Sequence, residues 1–193
     1  MDKPPAERPR PPTTSVRPRL DKEPIECFVE KLQAAAGTVR RVDTVSNVPQ
    51  AINDYLAQHG LERRVVLTQQ PELLELVWPE EWNIHYGPAT GEDQISVCAA
   101  FAGVAETGTL MMLSEIESPT TLNFLPDDHV VLVHATQIVP HLEDAWLKLR
   151  EQDTPIPRTV NLITGPSRTA DVEQTIQLGA HGPRRLHVVL IDD

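Results

Sequence analysis

The chain has 193 residues, 40% of them apolar, with 28 acidic against 17 basic side chains and a formal net charge of -11. That length suits one domain with a real core. No apolar run approaches the ~20 residues that cross a bilayer, and two cysteines supply neither a disulfide framework nor the thiolates of an iron–sulfur or Cys-rich zinc site.

No Lys or Arg falls between Arg64 and Lys148, a stretch that holds thirteen Asp and Glu. A nucleic-acid binder displaces counterions with a continuous basic footprint, which this composition excludes. An anion bound in the middle of the chain would have to be held by backbone N–H groups, hydroxyls, histidines or the late arginines. The charged amino terminus has no apolar segment behind it, so it does not read as a secretory signal, and a cytoplasmic location is expected.

Residues 1–24 contain seven of the 18 prolines and six of the 17 basic residues. Such a segment buries too little apolar surface to offset its ordering entropy and is expected to be a disordered tail, leaving residues 25–193 as the domain. Apolar residues at helical spacing from Ile25 to Ala36 predict a helix, with Gly37 ending it in a left-handed turn. Thr38–Val42 reads as a strand. Ser46 or Asn47 can cap a second helix striped with Val48, Ile52, Tyr55 and Leu56 and stopped by Gly60, and Arg64–Thr68 is the next strand. Alternation of this kind predicts an α/β fold, a mostly parallel sheet flanked by helices.

Prolines 71, 79 and 88 break the next stretch, which reads as a short helix from Pro71 to Leu76 and then irregular chain. Trp78 and Trp82 are expected to cover a sheet edge or line a pocket, and His85 to pack at the surface or to act as a ligand. A strand from Ile95 leads towards Glu106. Thr109–Leu113 and His129–Val133 read as neighbouring strands, joined by the hydroxyl-rich segment from Ser118 to Pro126, which includes Asn123. Ile138, Leu142, Ala145, Trp146 and Leu149 form one helical face. The strand Thr159–Ile163, a helix running to Leu178, a turn at Gly179–Pro183 and a last strand Leu186–Ile191 complete the chain.

Two polar loops stand out. Glu106-Thr107-Gly108-Thr109 sets a carboxylate, two hydroxyls and a glycine before an apolar strand. Glu106 could serve there as general base, nucleophile or orienting acceptor, or bond backbone N–H groups and hold the loop. Gly165-Pro166-Ser167-Arg168-Thr169-Ala170-Asp171 opens the predicted late helix. A helix start offers free N–H groups and a positive dipole end to a carboxylate or phosphate, with the Ser167 and Thr169 hydroxyls and the Arg168 fork as further donors. The same residues can equally be caps. In an open parallel sheet, ligands bind where strands end and helices begin, so the two loops are expected to face one site. His181, in a Gly-Ala-His-Gly-Pro turn, could donate to a substrate carboxylate, shuttle a proton or bond carbonyls of its own turn. No His or carboxylate spacing suggests a metal ligand set.

These segments, with Leu122-Asn123-Phe124-Leu125-Pro126, His181-Gly182-Pro183 and Leu186-His187-Val188-Val189-Leu190, together resemble the lactate-utilisation protein C branch of the LUD-domain family, formerly DUF162. The resemblance covers residues 25–193. It implies a NagB/RpiA/CoA-transferase-like fold and a part, with two iron–sulfur partner proteins, in bacterial oxidation of L-lactate to pyruvate. The clusters would reside on the partners, leaving no cofactor bound by this chain. Residues 118–121 depart from many relatives in carrying no arginine. The candidate site is Glu106 for catalysis, with Thr107, Gly108, Thr109, Asn123, Gly165, Pro166, Ser167, Arg168, Thr169, Asp171 and His181 around a small carboxylate. The alternatives are a non-catalytic assembly or regulatory subunit and a CoA-transferase-like small-molecule enzyme with Glu106 as nucleophile.

Overall fold

Long apolar runs of this sequence become strands of one parallel sheet, seen in a computed structural model that describes residues 17–152, 154–170, 176–178 and 181–193. In chain order the elements are α1 (Pro24–Ala34), β1 (Thr38–Val42), α2 (Val48–His59), β2 (Arg64–Leu67), α3 (Pro71–Leu74), β3 (Asn83–Tyr86), β4 (Ile95–Ala99) and β5 (Ala102–Val104). There follow β6 (Thr109–Leu113), β7 (Asp128–His134), β8 (Ile138–Val139), α4 (Leu142–Glu151), β9 (Val160–Ile163), β10 (Arg168–Ala170), β11 (Ile176–Leu178) and β12 (Arg185–Ile191).

Six strands form the large sheet in the order β1-β12-β7-β4-β2-β3, all parallel. A parallel sheet is covered on both faces, which is why β4, β7 and β12 are almost continuously apolar rather than alternating. On one face, Val48, Ile52, Tyr55 and Leu56 of α2 pack with Leu73 and Trp82 against Val97, Val130, Leu132 and Val189. On the other, Phe28 and Leu32 of α1 meet Cys98, Val131, Val188 and Leu190 together with Leu110 and Met112 of β6. Full burial of a side chain such as Leu132 is worth about 1.5–3 kcal/mol. A smaller mixed sheet, β8-β5-β6-β9, lies over this second face. Ala145 and Trp146 of α4 pack on its far side against Ala102, Val104 and Met111. Among the described residues no helix is long and apolar enough to cross a membrane.

The α/β architecture agrees with the sequence reading, and several details depart from it. Thr109–Leu113 and His129–Val133 are not neighbours: β6 belongs to the small sheet and β7 to the large one. The segment read as irregular between Pro79 and Pro88 contains β3, an edge strand paired with β2. Trp78 and Trp82 pack on the α2-side core with ring centroids 5.5 Å apart. In place of the helix expected from Gly165 to Leu178, the described residues form two strands, β10 and β11, paired antiparallel, and residues 171–175 lie outside the described residues. The N–H of Ser167 donates to the Pro183 carbonyl at 2.9 Å, which ties this segment beside the approach to β12 and holds it extended. Ile138 starts a two-residue strand rather than a helix, and neither Ser46 nor Asn47 caps α2 through its side chain. At the end of α1 the left-handed residue is Ala36 (φ 67°), not Gly37. Gly37 is required there for space, since a Cβ would lie 2.8 Å from the Leu32 side chain.

Of the expected tail, residues 1–16 lie outside the described residues. From Arg17 on the chain lies against the domain, with Arg17 Nη1 donating to Asp144 Oδ1 at 2.6 Å and Leu20 packed against the α1-side core.

Candidate functional site

Strand β7 opens with two polar residues before its apolar run, and the period of two sends them to opposite faces. Asp128 faces α2, where it accepts bonds from the Tyr55 hydroxyl at 2.5 Å and from Arg185 Nε and Nη2 at 2.6 and 2.7 Å. His129 faces the small sheet. It is 1% exposed, and neither ring nitrogen has a hydrogen-bond partner among the described residues. Burial lowers its pKa from 6.5 to about 3, so the ring is neutral, with one donor and one acceptor nitrogen.

The His129 ring lines a cavity of about 260 Å³. The other walls come from Asn123 and Phe124 after the 3₁₀ turn at Thr120–Asn123, from Leu162 and Ile163 at the end of β9, from the Thr164–Ser167 turn, from the His181–Pro183 turn and from Leu186 at the start of β12. Ser96 Oγ donates to the Leu122 carbonyl at 2.6 Å and anchors the 3₁₀ turn to β4. Asn123 beside it is 4% exposed, and its Oδ1 is also unpaired. These unpaired atoms have almost no accessible surface and lie behind the lining, while the polar side chains that keep surface at the cavity are Thr164, Ser167 and His181.

The location follows from the topology. Strand β9 belongs to the small sheet, and the Gly165 turn reaches the amino ends of β7 and β12, not the carboxyl ends where open parallel sheets usually hold ligands. Gly165 has φ +76°, and a Cβ there would lie 2.1 Å from the Ala35 carbonyl oxygen, so glycine is required where the turn crosses the end of α1.

The Glu106 loop takes a different part. Glu106 Oε1 accepts the Leu142 N–H at 2.8 Å, and Oε2 lies 3.1 Å from His141 Nδ1, which ties the β5–β6 turn to the first turn of α4. It lines a separate cleft with Thr107, Cys27, Lys31 and residues 18–22. Gly108 (φ +66°) packs on α1, where a Cβ would stand 2.3 Å from the Leu32 nitrogen. Hydroxyls link the two regions: Thr107 Oγ1 is 2.7 Å from Thr109 Oγ1, which is 2.6 Å from Thr164 Oγ1 on the cavity wall.

A family model described as the LUD domain matches residues 89–191, a span that includes every cavity-lining residue. The chain belongs to the LUD-domain family. This LUD-domain chain is 32% identical to "Lactate utilization protein C" of Geobacillus kaustophilus over 86% of its own length and 72% of that protein's. It is also 32% identical to the protein of the same name from Geobacillus thermodenitrificans, over 63% of this chain and only 56% of the relative. Among solved structures, a DUF162 family protein of Deinococcus radiodurans superposes with a TM-score of 0.62 at 20% identity, covering 88% of this chain and 96% of that one. At that identity the likeness is one of fold.

Within the LUD domain, the sequence candidates thus divide. Asn123, Gly165, Pro166, Ser167 and His181 meet around the cavity. Thr109 reaches it only through Thr164, and Glu106, Thr107 and Gly108 lie towards α1 and α4. Arg168 is exposed on β10 outside the cavity lining, the Thr169 side chain is not described, and Asp171 lies outside the described residues. The sequence reading passed over His129 as the first residue of a strand. Its one signal was a histidine opening the run His129-Val130-Val131-Leu132-Val133, where a core position wants an apolar side chain. Among the described residues no group of three or more histidines, cysteines or carboxylates is placed to hold a metal ion.

Proposed function

We propose that this chain acts in the cytoplasm as a subunit of a bacterial lactate-utilisation system. It oxidises L-lactate to pyruvate together with two iron–sulfur proteins that carry the redox clusters, while this chain supplies a site for the small carboxylate. The observation that carries the site is the cavity itself, whose lining brings the Thr164, Ser167 and His181 side chains around one small space. Family membership and relatives named for lactate utilisation support the pathway. A volume of about 260 Å³ suits a three-carbon acid with a few waters.

A substitution that fills the cavity tests the reading. At Gly182 a Cβ would meet Ser167 Cβ at 3.2 Å, and the backbone there does not require glycine. Gly182→Leu is expected to abolish growth on L-lactate in a strain dependent on this gene, with the protein still folded. Unchanged growth would favour the second reading, a non-catalytic assembly subunit, for which the absence of lysine, arginine or a carboxylate among the described residues of the cavity lining is the supporting observation. A CoA-transferase-like reaction needs a carboxylate nucleophile, and the Glu106 carboxylate is engaged by Leu142 and His141 away from the cavity.

A further inference from the structure

The cavity lies at the amino ends of β7 and β12, which leaves the carboxyl end of the large sheet to be accounted for. Two adjoining clefts of about 670 and 350 Å³ open there and share Glu72 and Gln137. Their lining includes Gln70 after β2, Ala99 and Ala100 at the end of β4, and His134 at the end of β7. Side chains fix these strand ends to one another. Gln137 Oε1 accepts the His134 N–H at 2.8 Å, and Gln137 Nε2 donates to the Ala100 carbonyl at 3.2 Å. Gln70 Oε1 accepts the Ala99 N–H at 3.0 Å, and Glu72 Oε1 lies 2.6 Å from His134 Nε2. A surface held in this way is preorganised and loses little freedom when something binds to it.

The walls of the clefts are apolar and acidic together. Leu76, Val77 and Phe101 line them, Val77 is 89% exposed, and Ile116 beside the lining residue Glu115 is 93% exposed. Glu72, Glu75 and Glu115 supply carboxylates, and no Lys or Arg lines either cleft among the described residues. Apart from Val45 and Ser46, every lining residue comes from the stretch between Arg64 and Lys148 that has no basic side chain. Lys148 approaches one wall, with Nζ 5.5 Å from the Phe101 ring centroid, but lines neither cleft. Exposed apolar residues grouped in this way mark an interaction surface, and the charge selects its occupant. Nucleic acid and anionic lipid are repelled, and a second copy presenting the same face would set carboxylate against carboxylate. We propose that this face docks a partner polypeptide through a segment that carries Lys or Arg beside apolar side chains. The apolar groups seat against Val77 and Ile116, and the basic groups meet Glu75 and Glu115. The docking face is independent of what the cavity at the other end of the sheet binds.

Fluorescence anisotropy on the full chain tests this with a labelled amphipathic helical peptide of Leu and Lys, beside its counterpart of Leu and Glu. The Leu and Lys peptide is expected to bind and the Leu and Glu peptide not to. Glu75→Lys combined with Glu115→Lys, and separately Val77→Asp, should each weaken binding roughly tenfold or more. All three positions are exposed, and circular dichroism checks the fold. Glu62→Lys combined with Glu81→Lys makes the same change in net charge just before β2 and β3, at the opposite end of the sheet, and should stay within about twofold of the wild type. An equal loss in the two charge-reversed pairs reduces the attraction to net charge and overturns the docking face. So does a Leu and Lys peptide that fails to bind, or a Leu and Glu peptide that binds as well. Binding that appears only after deletion of residues 1–16, which hold Lys3, Arg8 and Arg10, gives the face to the chain's own basic segment and overturns the partner. A wild-type dimer that Val77→Asp converts to monomer gives it to a second copy, with the same result.

Discussion

His129 and His187 stand on opposite faces of the large sheet, both neutral because burial holds their pKa values down, to about 3 and about 4. His187 stacks on Tyr55 with centroids 4.3 Å apart, and its Nδ1 lies 2.8 Å from the Thr38 hydroxyl. In the unfolded chain each would titrate near 6.5, so between that value and about 4 the unfolded state holds more protons than the native one. The contribution is present in full above 6.5 and is lost as the pH falls through that window, at about 1.4 kcal/mol per pH unit for each histidine. Urea titrations at a series of pH values should show this slope, and His129→Gln should remove about one proton's worth of it. An unchanged slope in that variant would contradict a buried neutral His129. Glycine makes a second prediction at this scale. With φ +76° and the Ala35 carbonyl where a Cβ would go, Gly165→Ala should cost at least about 2 kcal/mol in urea unfolding. Gly165 was visible in the sequence as the glycine of a polar loop. His129 was not, because strand alternation says which face a residue takes and nothing of where a second sheet stops covering that face.

At the scale of elements, α1 and α2 end in the same hydrogen-bond pattern with different residues in the left-handed position. The Gly37 N–H reaches the Leu32 carbonyl at 3.0 Å, and the Leu61 N–H reaches the Leu56 carbonyl at 2.9 Å. Gly60 takes φ 64° in one and Ala36 takes φ 67° in the other. A left-handed alanine costs about 1–2 kcal/mol, and glycine's greater unfolded freedom offsets about 0.5–1 of that. Ala36→Gly is therefore expected to stabilise the protein by about 0.5–1 kcal/mol, raising its thermal midpoint. Sequence reading placed the helix end within a residue or two but assigned the left-handed turn to the glycine, because propensity cannot see the Leu32 side chain that Gly37 must clear. For α4, Glu106 supplies the acceptor at the amino end, so Glu106→Ala should cost about 0.5–2 kcal/mol of stability and leave lactate affinity unchanged. A specific loss of binding in a stable Glu106→Ala protein would return that carboxylate to the site. The late helix failed at its start for a related reason: Ser167 is a good cap residue, but its N–H is taken by the Pro183 carbonyl and the chain goes on as strand β10.

For the whole molecule, the alternation of strands and helices was enough to read the α/β class and a mostly parallel sheet, but not the strand order. The division into two sheets was not legible, since β6 and β9 look in sequence like any other apolar strand and their partners are set by packing over α1. The acidic balance of the middle of the chain makes a whole-molecule prediction. With no Lys or Arg between residues 64 and 148, nonspecific retention on nucleic acid at low salt is expected to be negligible, which an electrophoretic shift assay checks. Binding there would point to the basic residues before residue 25.

The cavity is walled by β7 and β12 of one sheet and by the end of β9 from the other. Each sheet keeps its own ladder of backbone bonds, so the two can breathe as separate units. A molecule seated between them acts as a clasp. Amide hydrogen exchange at Leu162–Thr164 and at the first residues of β7 and β12 should slow together when the ligand is added, whereas β2 and β3 at the far edge of the large sheet should exchange as before.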